Sequence, residues 1–452
     1  MIQLSSNYKR ILGIALSLLL GFVAVDPIQA SEPGIAPAIS ALKLPSELGH
    51  ISQRLPAAAS SEKKSKLVLI IQDAHGNYTA QMSMAGILDY LAERYGLKLI
   101  FMEGAEGDAS LAHLRHTGPL SVRKQTAENY LKAGLISGEE YIDMISDRDW
   151  VVWGAEDITL YEKNYNAMLE SEALRPQIEQ QLNAIQQTVD QLKNKLYSSQ
   201  LKELESRIQS YASGGFKLSG YLKYLADQSL QANVTLEPYP NIRKIAGLAS
   251  AIGDIQAIAL LKEIPSLERS LINQTAQMPE EKQLLDLQKG LTLFTKAVAR
   301  EWTPDGYRAY REHQDSWLFS RWIPELKDLA SANGVAFAWQ NDVESLDSSL
   351  KQAIGFFDAT LERDQAMLMN IQDKMASEGQ VFAAFVVGGF HTQNLANLLV
   401  QSGVNVVVLT PVVGKDDTSV DYLEIMKYKY QDYQHKHSPR RSDEPLATDS
   451  LE

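Results

Sequence analysis

Two histidines stand at matching places in this chain. His75 lies in Gln72-Asp73-Ala74-His75-Gly76-Asn77 and His391 closes Gly388-Gly389-Phe390-His391, and each comes just after a run of apolar residues. Acids hold the same kind of place: Glu103 follows Leu97–Met102, and Glu156 with Asp157 follows Trp150–Trp153. Imidazoles and carboxylates gathered on one edge suit two kinds of chemistry. They can hold a divalent metal, which lowers the pKa of a bound water and polarises a carbonyl, or they can work as a metal-free acid/base pair. Taken singly, His75 fits a turn, Glu103 fits a loop cap, and Glu156 and Asp157 fit a helix start, where acids are common. The repeated placement favours a shared site, because independent turns have no reason to put histidine at the same point. His391 also follows two glycines, which let the backbone approach a ligand closely. Arg363, in Leu361-Glu362-Arg363-Asp364-Gln365-Ala366-Met367-Leu368, reads either as a helix-surface arginine or as a fixed cation for an anionic substrate group or for Glu103. The histidines at positions 50, 113, 116, 313, 435 and 437 have no strand-end context and read as surface or loop residues.

Elements must bring these residues together. Lys66 to Ile71 is an apolar run of the type buried on both faces of a parallel sheet. From Gln81 to Tyr95 the apolar Met84, Ile87, Leu88 and Leu91 recur at helical spacing, with Gly96 at the C-cap. Leu97 to Met102 follows as a second strand, which makes a βαβ unit. The pattern returns near the C-terminus: strand Val381–Val387, helix Thr392–Gln401, strand Val404–Leu409. Further strands are expected at Trp150–Trp153 and Val335–Trp339. The expected fold is therefore α/β, a mostly parallel sheet of two βαβ units flanked by helices. Ligands of such sheets gather at the carboxyl ends of the strands.

Between these halves the pattern is helical. Ile178, Leu182, Ile185, Val189, Leu192 and Leu196 alternate spacings of four and three, a heptad seam. It predicts a long coiled-coil-like hairpin, turning at Ser213-Gly214-Gly215, inside a large helical insertion. The expected organisation is a signal peptide at 1–30, a linker at 31–65, α/β halves at 66–160 and 331–432, the insertion at 161–330, and a disordered tail at 433–452. The signal is read from Lys9-Arg10, an apolar run from Ile11 to Val25 and the exit Ile28-Gln29-Ala30, so the chain is expected to be exported, periplasmic or secreted. The run is shorter than the roughly 20 residues of a spanning helix. No cysteine is present, which excludes disulfides, thiol nucleophiles and thiolate metal sites. The net charge of −13 and the lack of a basic stripe argue against a nucleic-acid partner. Small molecules or peptides remain as substrates, and the insertion offers a surface for a homo-oligomer.

At these residues the chain resembles the Tiki/TraB, ChaN and erythromycin-esterase superfamily. Gln72-Asp73-Ala74-His75-Gly76-Asn77 is similar to the Gly-Glu-x-His-x-Asn start of ChaN-like proteins, with Gln72-Asp73 standing where they have Gly-Glu. Glu103 at a strand end, Glu362-Arg363-Asp364 with Met367, like the Glu-Arg-Asn helix of TraB proteins, and the Gly-x-x-His at Gly388 to His391 complete the likeness. Asp364 takes the place of the Asn. The insertion is not covered. The resemblance implies an α/β fold with a site of His75, Glu103, Arg363 and His391 and hydrolase chemistry; the leading reading is a hydrolase of an ester, lactone or peptide bond, in which His75, Glu103 and His391 hold a divalent metal or share acid/base duty. The resemblance also implies an alternative, a haem or small-ligand binding protein like ChaN. A third reading is a non-catalytic assembly protein acting through the insertion.

Overall fold

A strand with no polar member among its first five residues can be covered on both sides, and Leu67 to Ile71 are all buried. The computed structural model describes residues 36, 38–57, 66–245, 257–302, 304–314, 317–337, 339, 342–415, 427 and 430. The expected signal segment and tail lie outside the described residues. The chain divides into two units, Met1–Lys163 with Ala359–Glu452, and Asn164–Asp358.

The first unit is α/β. Its strands are β1 (Gly49–Leu55), β2 (Leu67–Asp73), β3 (Leu99–Met102), β4 (Glu106–Asp108), β5 (Val151–Ala155), β6 (Phe382–Gly388) and β7 (Asn405–Pro411). They form one sheet in the order β1-β7-β2-β6-β3-β5-β4. The five inner strands are parallel, and β1 and β4 close the edges antiparallel. The helices are α1 (Tyr78–Tyr95), α2 (Leu120–Lys132), α3 (Gly138–Ile145), the start of α4 (Ile158–Leu196), the end of α12 (Val343–Ser377), whose label follows the helices of the second unit, and α13 (Gly389–Gln401).

Alternate residues of β2 feed two cores. Leu67, Leu69 and Ile71 pack with Met84, Ile87 and Leu88 of α1, whereas Val68 and Ile70 pack with Leu395 and Leu399 of α13 and Met367 and Ile371 of α12. Helix α1 joins β2 to β3 across β6, and α13 joins β6 to β7 across β2. The connections leaving the neighbours β2 and β6 thus run in opposite directions and lie on opposite faces. That leaves a crevice beyond their carboxyl ends, the usual ligand position in such a sheet. Asp73 and Gly388 are the paired last residues of these two strands.

Several expectations change. The lead-in read as linker holds β1, with Gly49 so close to β7 that a Cβ would lie 2.3 Å from the Thr410 carbonyl oxygen. Residues 335–337 and 339 lie in no strand. They follow a helix that ends at Ala332, with Gly334 in the left-handed region just beyond it, and the Phe337 and Trp339 rings sit 6.0 Å apart. Helix α13 begins at Gly389, three residues earlier than expected, which puts His391 in its first turn.

The second unit is helical: the rest of α4, then α5 (Ser199–Ala212), α6 (Leu218–Gln231), α7 (Pro240–Ile245), α8 (Ala257–Thr275), α9 (Pro279–Val298), α10 (Pro304–His313), α11 (Phe319–Ala332) and the start of α12. Helices continue to Asp358, beyond the expected limit at 330. Among the described residues no helix is long and apolar enough to cross a membrane.

Gly154 of β5 makes a testable demand on the sheet. A Cβ there would lie 2.2 Å from the Ala105 carbonyl carbon, and backbone cannot swing aside. Gly154→Ala is expected to cost about 1–3 kcal/mol by urea denaturation. A loss within experimental error would mean that the β4 edge yields freely.

Candidate functional site

Each strand end delivers one part. β2 ends at Asp73, whose Oδ2 lies 2.5 Å from His75 Nδ1. Its other oxygen accepts a 2.6 Å bond from Gln81 Nε2 of α1. Asn77 fixes the loop by capping α1, accepting from Ala80 N at 2.9 Å, while its amide donates to Gly414 O at 2.9 Å. The His75 side chain keeps 35% of its surface exposed, while Asp73 keeps 4%.

β3 delivers Glu103, and β5 delivers Glu156. Arg363 of α12 joins them: its terminal nitrogen lies 3.1 Å from Glu103 Oε1 and also bonds Glu156 Oε1, while its Nε donates to Glu156 Oε2 at 3.2 Å. The guanidinium also stands 5.0 Å from the centre of the Tyr161 ring. Glu156 is fully buried and Arg363 is 4% exposed, so the pair is a structural charge lock. Burial alone would favour neutral arginine, but Glu156 and Glu103 more than reverse this and hold the charge.

β6 delivers His391 at the start of α13. Its Nδ1 lies 2.5 Å from Asp364 Oδ1, and Asn394 donates to the other Asp364 oxygen at 2.6 Å. Its Nε2 faces Glu103 Oε1 at 3.4 Å. Glu103 Oε2 accepts the Gly388 N–H at 2.7 Å. A Cβ on Gly388 would sit 3.2 Å from Glu103 Oε2 and 3.9 Å from His75 Nε2, so the glycine leaves open the space that these two groups share.

Electrostatics split the roles. Burial works against a charged His391, yet the Glu103 carboxylate and Asp364 push its pKa up to about 9 despite Arg363. Burial would likewise raise Glu103, but His391, Arg363 and His75 hold it well below the usual carboxylate range. At neutral pH the buried pair is an imidazolium facing a carboxylate.

No protein family, curated protein or solved structure matches the chain.

The chemistry of the site therefore rests on its own geometry. The four expected residues His75, Glu103, Arg363 and His391 are brought to one crevice. A divalent ion on His75, Glu103 and His391 would have to compete with the Arg363 guanidinium for Glu103 Oε1 and displace the proton from His391 Nε2. Among the described residues no three His, Asp or Glu side chains are arranged to hold a metal. Of the acids after β5, Asp157 is the helix-start residue, accepting from Leu160 N at 3.1 Å, while Glu156 is the buried partner of Arg363.

Sequence reasoning missed Asp364 as the partner of His391, and Glu156 as that of Arg363. A signal was present: Arg363, Met367, Ile371 and Met375 recur every four residues, and the last three are buried. An arginine that continues a buried stripe needs a buried acid.

Proposed function

We propose that the chain is an exported hydrolase that cleaves an ester, lactone or peptide bond by acid/base catalysis. The hydrolase class comes from the resemblance of the strand-end motifs to the Tiki/TraB, ChaN and erythromycin-esterase superfamily. One observation carries the mechanism: both imidazoles are held at Nδ1 by an aspartate and turn Nε2 towards the surroundings of Glu103. Such an aspartate fixes the tautomer and the ring orientation.

In this reading the partly exposed His75 is the base. It takes a proton from a water that attacks the substrate carbonyl. His391, charged and buried, gives its Nε2 proton to the departing oxygen or nitrogen. Glu103 keeps His391 charged. Arg363 is consumed by Glu103 and Glu156, so it orients the site and is not free for an anionic substrate group. The same reading takes β2–α1–β3 and β6–α13–β7 as two βαβ units. It takes the helical unit, Asn164–Asp358, as an insertion with a coiled-coil-like hairpin of α4 and α5, turning between Leu196 and Ser199 instead of at Ser213-Gly214-Gly215, since Ile178, Leu182, Ile185, Val189 and Leu192 are buried and Lys193 bonds Glu205 at 3.0 Å.

A panel of esters, lactones and peptides tests the proposal on the purified protein. With the substrate that it turns over, excess chelator is expected to change the rate by less than about twofold, because no step needs a Lewis acid. A larger loss, restored by one divalent ion, would move the mechanism to a metal. No turnover of any member, together with a Soret band on adding haem, would replace the hydrolase with a ligand-binding protein.

A further inference from the structure

Beneath the His75 loop lies a carboxyl group that the mechanism does not use. Glu139 is the second residue of α3 and is 3% exposed. Its Oε2 is enclosed and has no hydrogen-bond partner. Helix α3 presses against α1: the Gly138 N–H donates to Gln81 Oε1 at 2.7 Å, and a Cβ on Gly138 would lie 2.3 Å from the Gln81 carbonyl oxygen. The same Gln81 holds Asp73 with its amide, and Asp73 holds His75. One side chain thus ties the start of α3 to the pair that orients the base.

The charged groups facing Glu139 are carboxylates, Asp73 from β2 and Glu140 from its own helix, while its own backbone N–H and the Ser137 hydroxyl give the ionised form some support. α1 brings the neutral Gln81. A buried carboxylate with an unpartnered oxygen beside another carboxylate is costly, and protonation relieves both the desolvation and the repulsion.

We propose that Glu139 is a positioning residue for His75: as a neutral acid it leaves Asp73 as the single negative charge behind the imidazole, and on ionising it adds a second. The sign follows from Coulomb's law. A second negative charge favours the imidazolium form of His75, so the affinity of the ring for its proton rises as Glu139 ionises. Burial, with Asp73 and Glu140 adding to it, pushes the Glu139 carboxyl up to about 8, which puts that event on the alkaline side of neutrality. This inference rests on the reading of His75 as the base.

The test follows the His75 ring by NMR in full chain labelled with 15N-histidine, its signal identified by its loss in His75→Gln. The native chain is expected to show a second inflection near pH 8 in the His75 titration, and Glu139→Gln to lack it. Superimposable curves in the two proteins would overturn the inference, as would a native curve with no second inflection. Should Glu139→Gln fail to fold by circular dichroism, the native chain is compared with His391→Asn. An inflection that persists there supports Glu139, and one that vanishes belongs to His391 and overturns it. The titration uses no substrate, so a protein that hydrolyses nothing yet shows the coupling would sink the proposed function alone.

Discussion

Arg363→Met is expected to destabilise the protein by about 3–5 kcal/mol, measured by urea denaturation. The methionine matches the length of the arginine stem and leaves no large hole, so the loss reports charge. Glu156 is fully buried and both its oxygens bond the guanidinium, with one further bond from the Gly104 N–H at 3.2 Å. Without the cation this carboxylate, and Glu103 beside it, must either stay charged in a poorly solvated place or take up protons. The double variant Arg363→Met with Glu156→Gln removes the orphaned charge and is expected to recover at least about half of the loss. Equal losses in single and double variants would show that the arginine acts through packing, against Tyr161 for instance, and not through the ion pair. The second result would also weaken the case that Arg363 orients the site.

The parts of this lock differ in how far the sequence discloses them. The inner strands β2, β3, β5, β6 and β7 are visible because strands buried on both faces must be apolar at successive positions, as Leu67 to Ile71 and Phe382 to Val387 are. The edge strands are not. β4 is Glu106-Gly107-Asp108, and β1 mixes His50, Gln53 and Arg54 with Ile51 and Leu55, so only pairing with β5 and β7 makes them strands. Val335 to Trp339 misleads in the opposite sense: it is apolar and follows a helix, but it belongs to the helical unit. The histidines were legible from strand-end position alone. Their aspartates were not equally so. Asp73 is two residues from His75, whereas Asp364 is on another helix and meets His391 only after α12 and α13 pack on the same face of the sheet. Charge relations set by tertiary packing leave little trace in a linear pattern, except where, as at Arg363, they interrupt an apolar period.

His391→Asn and His75→Asn should each lower kcat/KM by about 10²–10⁴-fold with a substrate found in the panel. The double variant should lose much less than the product of the two, since acid and base serve one transition state. The pH dependence separates them. His391 has its pKa raised from an ordinary 6.5 to about 9, so the acid is present at neutral pH and its rate contribution falls as pH rises through about 9. Stability follows the same sign: a raised pKa contributes stability that is fully present below the unfolded value near 6.5 and is lost as pH rises through about 9. Glu103 has the opposite sign. Its lowered pKa contributes stability above the ordinary carboxylate range, and this is lost only as the medium becomes strongly acidic. His391→Asn should therefore flatten both the alkaline fall in rate and the alkaline fall in stability. A native alkaline rate profile in His391→Asn would assign the leaving-group proton to another group, and the imidazolium at Glu103 would then be a structural charge like Arg363.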